Sequence, residues 1–380
     1  MEKSNVFLIR NVAGGGFGGG EIYQLELAKR LGRKGFHLIL VTNSKKLAHG
    51  ARLIGVEVLE SPYLDQQNWS GWRNILLPRY WIFQWRLEKW YENIFREYKP
   101  VAVNVQSRDD MIAVTKAARK IGIRVLWTDH ADFKNWVLWN VNKRFKNTIG
   151  KKIVKMSTEV YKVIFVSEEI KKITTKMIRP EILENIEVIS NGVGDEKEKY
   201  VGVCEKKNSF VFVGRVVEEK GIGELIDAFK NVSKIYPEAI LNVYGDGDLE
   251  GYKKRSAGCG KIHFHGRTEE SLKVIAENEV FVLPSYREGL SLSLLDAAMM
   301  GKRIIASNVD GNPEVVVDKE TGLLVPARNA SKLAEAMIWM LENRKEAGKM
   351  AKNARKRYEE NFDFDKIFEE KMLPLYKTKE

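Results

Sequence analysis

Two cations and two carboxylates carry the most chemistry in this chain. Gly214-Arg215 follows the apolar run Phe210-Val211-Phe212-Val213, and Lys220-Gly221 comes shortly after. Both cations stand where a strand hands over to a helix. A departing diphosphate gains negative charge as its bond breaks, and either a metal or fixed cations must meet that charge. Arg215 can fork onto two phosphate oxygens, and Lys220 can act as a point charge. A surface Arg and Lys flanking a loop is the plainer alternative. Glu288 and Asp296 follow a second apolar run that ends at Pro284. Glu288 falls in a loop, and Asp296 about two turns further along, in the helix after it. Carboxylates accept hydrogen bonds from the adjacent hydroxyls of a sugar or a ribose. The backbone N–H groups from Gly289 through Leu290, Ser291 and Leu292 open that helix and suit a diphosphate. Two carboxylates for two sugars, with a helix start between them for phosphates, describe a nucleotide-sugar site.

A glycine loop lies near the N-terminus: Ala13-Gly14-Gly15-Gly16-Phe17-Gly18-Gly19-Gly20-Glu21. It follows an apolar run and opens a helix, so its backbone can approach a phosphate or a sugar closely. Gly14, Gly16 and Gly19 fit G-x-G-x-x-G, but a dinucleotide site also needs an acid after the second strand. That strand ends Leu40-Val41-Thr42-Asn43, without one. His130, in Thr128-Asp129-His130-Ala131, also follows a strand-like run. A lone His there is commonly structural, yet its place at a strand's carboxyl end would face a ligand. His263 and His265 alternate at a strand end without metal-ligand spacing. Asp246-Gly247-Asp248 and Asp363-Phe364-Asp365 are the possible metal sites, and each reads more simply as a turn or a helix cap.

The elements that must position these residues repeat as strand, loop, helix. Strand-like runs fall at 6–10, 36–42, 56–59, 101–106, 124–128, 162–166 and 186–189. Helical spacing fits 21–34, 109–120 and 168–177. A charged stretch, 195–208, reads as a link. The alternation restarts with strands at 209–213, 239–244, 261–264, 280–283, 303–306 and 322–325. Helices fit 221–235, 271–277, 292–300 and 331–343. Nearly unbroken Val/Ile-rich strands argue for buried parallel sheets. The expected class is α/β, with two doubly wound Rossmann-like domains facing across a cleft. The division is drawn at 1–195 and 196–361, with a tail helix over 362–380. Such sheets bind ligands at the carboxyl ends of their strands.

Bulk properties narrow the partners. The net charge is +12, and residues 1–195 hold all of it, with 32 Lys+Arg against 20 Asp+Glu. Such a field favours an anionic partner, and a generally Lys-rich proteome is the alternative. Cys204 and Cys259 make no disulfide framework or metal motif. No apolar run is long enough to cross a membrane, and residues 1–10 lack a signal-peptide pattern. The expected location is the cytoplasm, with peripheral contact on the inner face of the plasma membrane as an extension. That extension rests on residues 69–98, where Trp69, Trp72, Trp81, Trp85 and Trp90 interleave with Arg73, Arg79, Arg86, Lys89 and Arg96. Basic, Trp-rich amphipathic helices lie in membrane interfaces. Packing of the same tryptophans on the sheet is the equal alternative.

Taken in order, these motifs resemble glycosyltransferase family 4, whose members share the GT-B architecture. Glu288 and Asp296 stand where the family has Glu, seven residues, Glu. Gly214-Arg215 and Lys220-Gly221 match its Gly-Arg…Lys-Gly signature, and Gly18-Gly19-Gly20-Glu21 its Gly-Gly-x-Glu. Val188-Ile189-Ser190-Asn191-Gly192-Val193, Asn242-Val243-Tyr244-Gly245-Asp246-Gly247 and Gly311-Asn312-Pro313-Glu314 also fit.

The resemblance implies roles. Glu288 would hold the transferred sugar. Gly18, Gly19, Gly214 and the backbone from Gly289 to Leu292 would meet sugar and phosphates. Asp296, one methylene shorter than the usual glutamate, would hold the ribose. Arg215 and Lys220 would stabilise the leaving group, and His130 would contact the donor sugar or the transition state. The loop at Arg267 would meet the base. The implied reaction retains anomeric configuration, needs no metal or other cofactor, and serves a glycan, lipid-linked or small-molecule acceptor. No nucleic acid partner is expected. A nicotinamide oxidoreductase, a non-catalytic sugar- or nucleotide-binding protein, and a sister phosphorylase or epimerase are the rival readings.

Overall fold

A computed structural model of the chain describes residues 4–11, 18–62, 77–130, 147–175 and 185–377. These form two compact units, residues 1–189 with 368–380, and residues 190–367.

The first unit is built on seven parallel strands: β1 (Asn5–Ile9), β2 (His37–Thr42), β3 (Glu57–Glu60), β4 (Ala102–Val105), β5 (Arg124–Asp129), β6 (Lys162–Phe165) and β7 (Ile186–Val188). Their order is β3-β2-β1-β4-β5-β6-β7. Val6 pairs with Leu38 on one side and Ala102 on the other, so β1 is central. Val6, Phe7, Leu8 and Ile9 are fully buried, as expected for a strand covered on both faces. Each such side chain contributes about 1.5–3 kcal/mol on burial. The helix Leu77–Tyr98 packs against the sheet through Phe95, whose ring meets Phe7 edge-on at 5.3 Å. Residues 368–377 join this unit. Tyr376 is buried, and its hydroxyl accepts from Asn104 Nδ2 at 2.7 Å.

The second unit has six parallel strands: β8 (Lys206–Val213), β9 (Ile240–Tyr244), β10 (Ile262–Gly266), β11 (Asn278–Leu283), β12 (Arg303–Ser307) and β13 (Leu323–Val325). Their order is β10-β9-β8-β11-β12-β13. In both sheets the order reverses beside the first strand, between β1 and β4 and between β8 and β11. Helices on both sides diverge there and leave a crevice at the strands' carboxyl ends.

Three expectations shift. The stretch 195–208 is not all link: Lys206–Asn208 opens β8, because Lys206 N bonds Glu277 O and Asn208 N bonds the Glu279 carboxylate. Charged, exposed residues hid that strand end. The units divide after Ile189, ahead of the expected break at 195/196. Val193 exchanges backbone bonds with Phe362 and Phe364, and Asn191 Nδ2 bonds Leu290 O, so 190–195 are held in the second unit. The tail is not one regular helix. It runs Phe364–Ile367, a widened π turn Phe368–Met372, and Leu373–Tyr376. Its five expected apolar positions, Phe364, Ile367, Phe368, Met372 and Leu375, are all buried. Among the described residues, no helix is long and apolar enough to cross a membrane.

Candidate functional site

In the second unit the groups singled out above converge on the reversal point. Arg215 stands two residues past the end of β8. It is exposed, and its side chain makes no hydrogen bond or ion pair among the described residues. Gly221 follows Lys220 in the left-handed region (φ 68°), and a Cβ there would lie 2.1 Å from Pro284 O. Only glycine lets the β8 loop lie this close to the end of β11. The approach brings Lys220 Nζ to within 2.5 Å of Glu288 Oε1. Ser285 Oγ donates to the same oxygen at 2.7 Å. Glu288 keeps 8 % of its side-chain surface and Lys220 17 %. The two residues assigned to different parts of a ligand are therefore first bound to each other. Removing one partner of a fully buried pair costs about 3–5 kcal/mol, and somewhat less where one partner keeps solvent contact.

The Glu288 loop is pinned from three sides. Glu288 N donates to Asp310 Oδ2 at 3.1 Å. Asp310 has φ 40°, a conformation that costs an L-residue roughly 1–2 kcal/mol. Gly311 lies so near the Gly289 carbonyl that a Cβ would reach 1.8 Å from its oxygen. Tyr286 N donates to Glu219 O at 2.8 Å, and its hydroxyl donates to Glu224. The Arg328 guanidinium lies 3.9 Å from the Tyr286 ring centre. Burial, with the Glu224 carboxylate adding to it, pushes the Tyr286 phenol above its ordinary value. Ser285, Tyr286 and Asp310 were not singled out in sequence. Their signal was only their place in loops after β11 and β12.

The helix Leu292–Met300 begins at the same place. Ser291 stands at its N-cap but makes no side-chain cap bond, and its hydroxyl lies 3.2 Å from Ser293 Oγ. First-turn N–H groups that a cap would take are thus left to an outside acceptor, where the helix dipole favours an anion. Gly289, Leu290 and Leu292 surround that start, with Leu290 buried. Asp296 is half-buried within the helix. Gly214 N bonds Tyr244 O, which ties the β8 end to β9. Arg267, past β10, lies 3.9 Å from Asp246. Beside it His265 stacks on Tyr244 at 4.3 Å, and its Nε2 lies 2.8 Å from Asn242 Oδ1. Burial and the nearby His263 hold His265 below its ordinary value. Asp248 caps a helix through Gly251 N, and Asp363 accepts from Asp365 N, as a turn and a cap require.

In the first unit a different set gathers at the β1/β4 reversal. Gly14 and Gly16 lie outside the described residues. Gly18 and Gly19 open the helix Gly19–Arg33, and Glu21 is buried at its third position. One Glu21 oxygen accepts from Gly18 N at 2.7 Å, the other from Arg10 Nε at 2.6 Å. His130 ends β5. Its ring meets Tyr23 edge-on at 4.8 Å, and its Nε2 lies 3.0 Å from Gln106 Oε1. Burial and the Arg10 charge lower His130 to about 3, so the ring is neutral near pH 7. It can donate or accept a hydrogen bond but brings no positive charge. Gln106 Nε2 is buried and unpaired among the described residues. Asp110 is fully buried and accepts from Tyr91, Ser107 and Asn11. Burial outweighs those bonds and raises it to about 6. Gln106 and Asp110 were also not singled out, although both follow β4. Of the tryptophan-rich segment, Trp69 and Trp72 lie outside the described residues. Trp81 and Trp90 pack on the core, and Trp85 is exposed.

Comparisons with known proteins agree with this arrangement. A model of Glycosyltransferase Family 4 matches residues 17–197, and a model of Glycosyl transferases group 1 matches residues 195–357. The uncharacterized glycosyltransferase MJ1069 of Methanocaldococcus jannaschii is 30 % identical over 261 residues, 63 % of this chain and 62 % of that one. The UDP-Gal:alpha-D-GlcNAc-diphosphoundecaprenol alpha-1,3-galactosyltransferase of Escherichia coli is 29 % identical over 220 residues, 50 % of this chain and 54 % of that one. The match thus spans under two thirds of either relative. The crystal structure of Anabaena Alr3699/HepE in complex with UDP-glucose shares the fold, with a TM-score of 0.75 over 98 % of each chain at 16 % identity. With the two family patterns together matching residues 17–357 on two doubly wound sheets, the chain belongs to the glycosyl transferases group 1 of glycosyltransferase family 4 and has the GT-B fold.

Proposed function

We propose that this protein is a hexosyltransferase-type enzyme that moves a sugar from a nucleotide-diphosphate sugar to an acceptor hydroxyl. The observation that carries the reading is the Lys220–Glu288 bond at the β8/β11 reversal, with an uncapped helix start after the Glu288 loop and exposed Arg215 at the end of β8. Unpaired Arg215 is free to meet a diphosphate. Lys220 is the bridging group, charged toward the phosphates and bonded to the carboxylate that would hold the sugar hydroxyls. Asp296 is assigned to the ribose and Arg267 to the base edge. As the bond from the sugar's anomeric carbon to the phosphate oxygen breaks, the electron pair goes to that oxygen. Fixed donors strengthen as this charge grows, which lowers the barrier. The acceptor oxygen bonds the anomeric carbon from the same face, and its proton passes to the departing phosphate. Configuration is thereby retained. Arg215, Lys220 and the helix dipole stand in for a divalent metal.

His130, neutral and oriented by Gln106, is assigned a hydrogen-bonding role toward the transferred sugar. The first unit is assigned to the acceptor. A lipid-linked acceptor is favoured by the E. coli relative, which is named for a diphosphoundecaprenol-linked substrate. Work at the cytoplasmic face of a membrane follows from that choice. A nicotinamide oxidoreductase is not favoured, since β2 ends Leu40-Val41-Thr42 without an acid.

The test is incubation of the full chain with UDP-, GDP- and ADP-sugars, a sugar linked to a lipid diphosphate, and EDTA. One donor is expected to release its nucleoside diphosphate, and proton NMR of the product to show the donor's anomeric configuration. Release abolished by EDTA would remove the metal-free part. Inverted product would remove the same-face step, and no turnover with any donor would remove the reading.

A further inference from the structure

The helix Leu77–Tyr98 buries one face and leaves another bare. Tyr80, Gln84, Leu87, Tyr91 and Phe95 turn inward. On the outer face Arg79, Ile82, Trp85, Arg86 and Lys89 recur at spacings of three and four, which makes them neighbours on one surface. Ile82 keeps 53 % and Trp85 58 % of its surface exposed. The charges on this helix sort by position. Toward its C-terminal end, Lys89 and Arg96 pair with Glu92. The side chains of Arg79 and Arg86, which flank the bare apolar pair, make no hydrogen bond or ion pair among the described residues.

The same stretch is tied to the site edge of the first unit. Gln84 Nε2 donates to Asp109 O at 2.9 Å, and Tyr91 donates to buried Asp110 at 2.8 Å. Trp85 and Arg86 therefore lie just outside the groups that end β4. A tryptophan and an isoleucine left in water beside unpaired arginines suit a boundary between water and acyl chains. There an aromatic ring sits at headgroup level and guanidinium groups meet lipid phosphates.

We propose that this face docks on an anionic bilayer, with Ile82 and Trp85 entering the headgroup region and Arg79 and Arg86 meeting lipid phosphates. Docking in this way sets the Asn11–Ser107–Asp110 edge close to the membrane, where the sugar of a lipid-linked acceptor emerges. The inference deepens the acceptor reading above. Its test uses vesicles without donor or acceptor, so its failure and that of the transfer reaction are told apart.

In flotation assays the full chain is expected to rise with phosphatidylglycerol/phosphatidylcholine vesicles at low salt, and less as salt screens the arginines. It is expected to stay behind with pure phosphatidylcholine. An Ile82→Ser/Trp85→Ser variant and an Arg79→Glu/Arg86→Glu variant should each partition roughly tenfold less. Both should keep the wild-type melting temperature and transfer rate to a water-soluble acceptor. No flotation with anionic vesicles at low salt, equal flotation with zwitterionic ones, or undiminished binding by folded variants would each overturn the proposal. Capture of a soluble protein by this face without vesicle binding would overturn it too.

Discussion

The β1/β4 edge of the first unit and the β8/β11 edge of the second share one topology and differ in how charge is handled. At β1/β4, charge is silenced. His130 is neutral, Glu21 is engaged by Arg10 and Gly18 N, and Asp110 is buried under three donors. At β8/β11, charge is left available: Arg215 is exposed, Lys220 is shared, and the helix start is uncapped. Yet the whole excess of +12 lies in residues 1–195, and residues 196–380 are balanced. Bulk positive charge is therefore in one half, and the exposed cation and uncapped helix start are in the other. The first reports what the outer surface faces, and the second is set by a few groups at one reversal in strand order. A silenced edge suits neutral hydroxyls, and an edge with exposed cations suits an anion.

The comparison breaks most sharply at Lys220 and Glu288. Lys220→Ala or Glu288→Gln is expected to lower kcat/KM about 10²–10³-fold, the usual loss when a preorganised charge group is removed. Steady-state transfer rates check this, with circular dichroism confirming the fold. Losses under tenfold in both would mean the pair is only structural. On the silenced edge the expected effect is smaller and of another kind. His130 titrates near 3 in the folded chain against an ordinary 6.5. As pH falls from 6.5 toward 3, the unfolded chain takes a proton that the native chain refuses, so His130 takes stability away in that window. Asp110, raised to about 6, slopes the other way as pH falls from 6 to 4, so total stability alone does not isolate His130. His130→Gln should lose less stability than wild type on acidification, by at most about 1.4 kcal/mol per pH unit. Urea melts at pH 7, 6, 5 and 4 would show the gap closing, and parallel curves would contradict a neutral His130. Smallest of all, Tyr286→Phe removes one hydrogen bond to Glu224. It should cost about 1–2 kcal/mol in a urea melt and only a few-fold in kcat. A loss as large as that of Glu288→Gln would make Tyr286 part of the ligand site.

Much of this was legible in sequence where burial is two-sided. All thirteen strands among the described residues overlap the expected runs; central ones such as β1 and β11 are covered on both faces and read as nearly unbroken apolar segments, whereas the edge strands β3 and β10 carry charged or polar residues beside apolar ones. Arg215 and Glu288 were legible because a residue just past such a run must stand at the carboxyl edge. The helix Arg344–Asn361 was not, since its many Lys and Arg residues dilute the apolar period that Ala347, Met350, Ala351, Ala354 and Tyr358 carry. The Lys220–Glu288 bond joins residues 68 apart, and only the close packing at Gly221 and Pro284 creates it. Sequence assigned the two to separate partners for that reason. Gln106 and Asp110 were missed because a polar residue after a strand is common, and what distinguishes them is depth.

The most direct test of the donor assignment is calorimetric titration of wild type and Arg215→Ala with nucleoside diphosphates of uridine, guanosine and adenosine, each beside its nucleoside. The account predicts that one diphosphate binds wild type in EDTA, that its nucleoside binds far more weakly, and that Arg215→Ala weakens the diphosphate roughly tenfold or more while leaving the nucleoside unchanged. Equal binding of that diphosphate to wild type and variant, or no binding of any diphosphate to wild type, would contradict it.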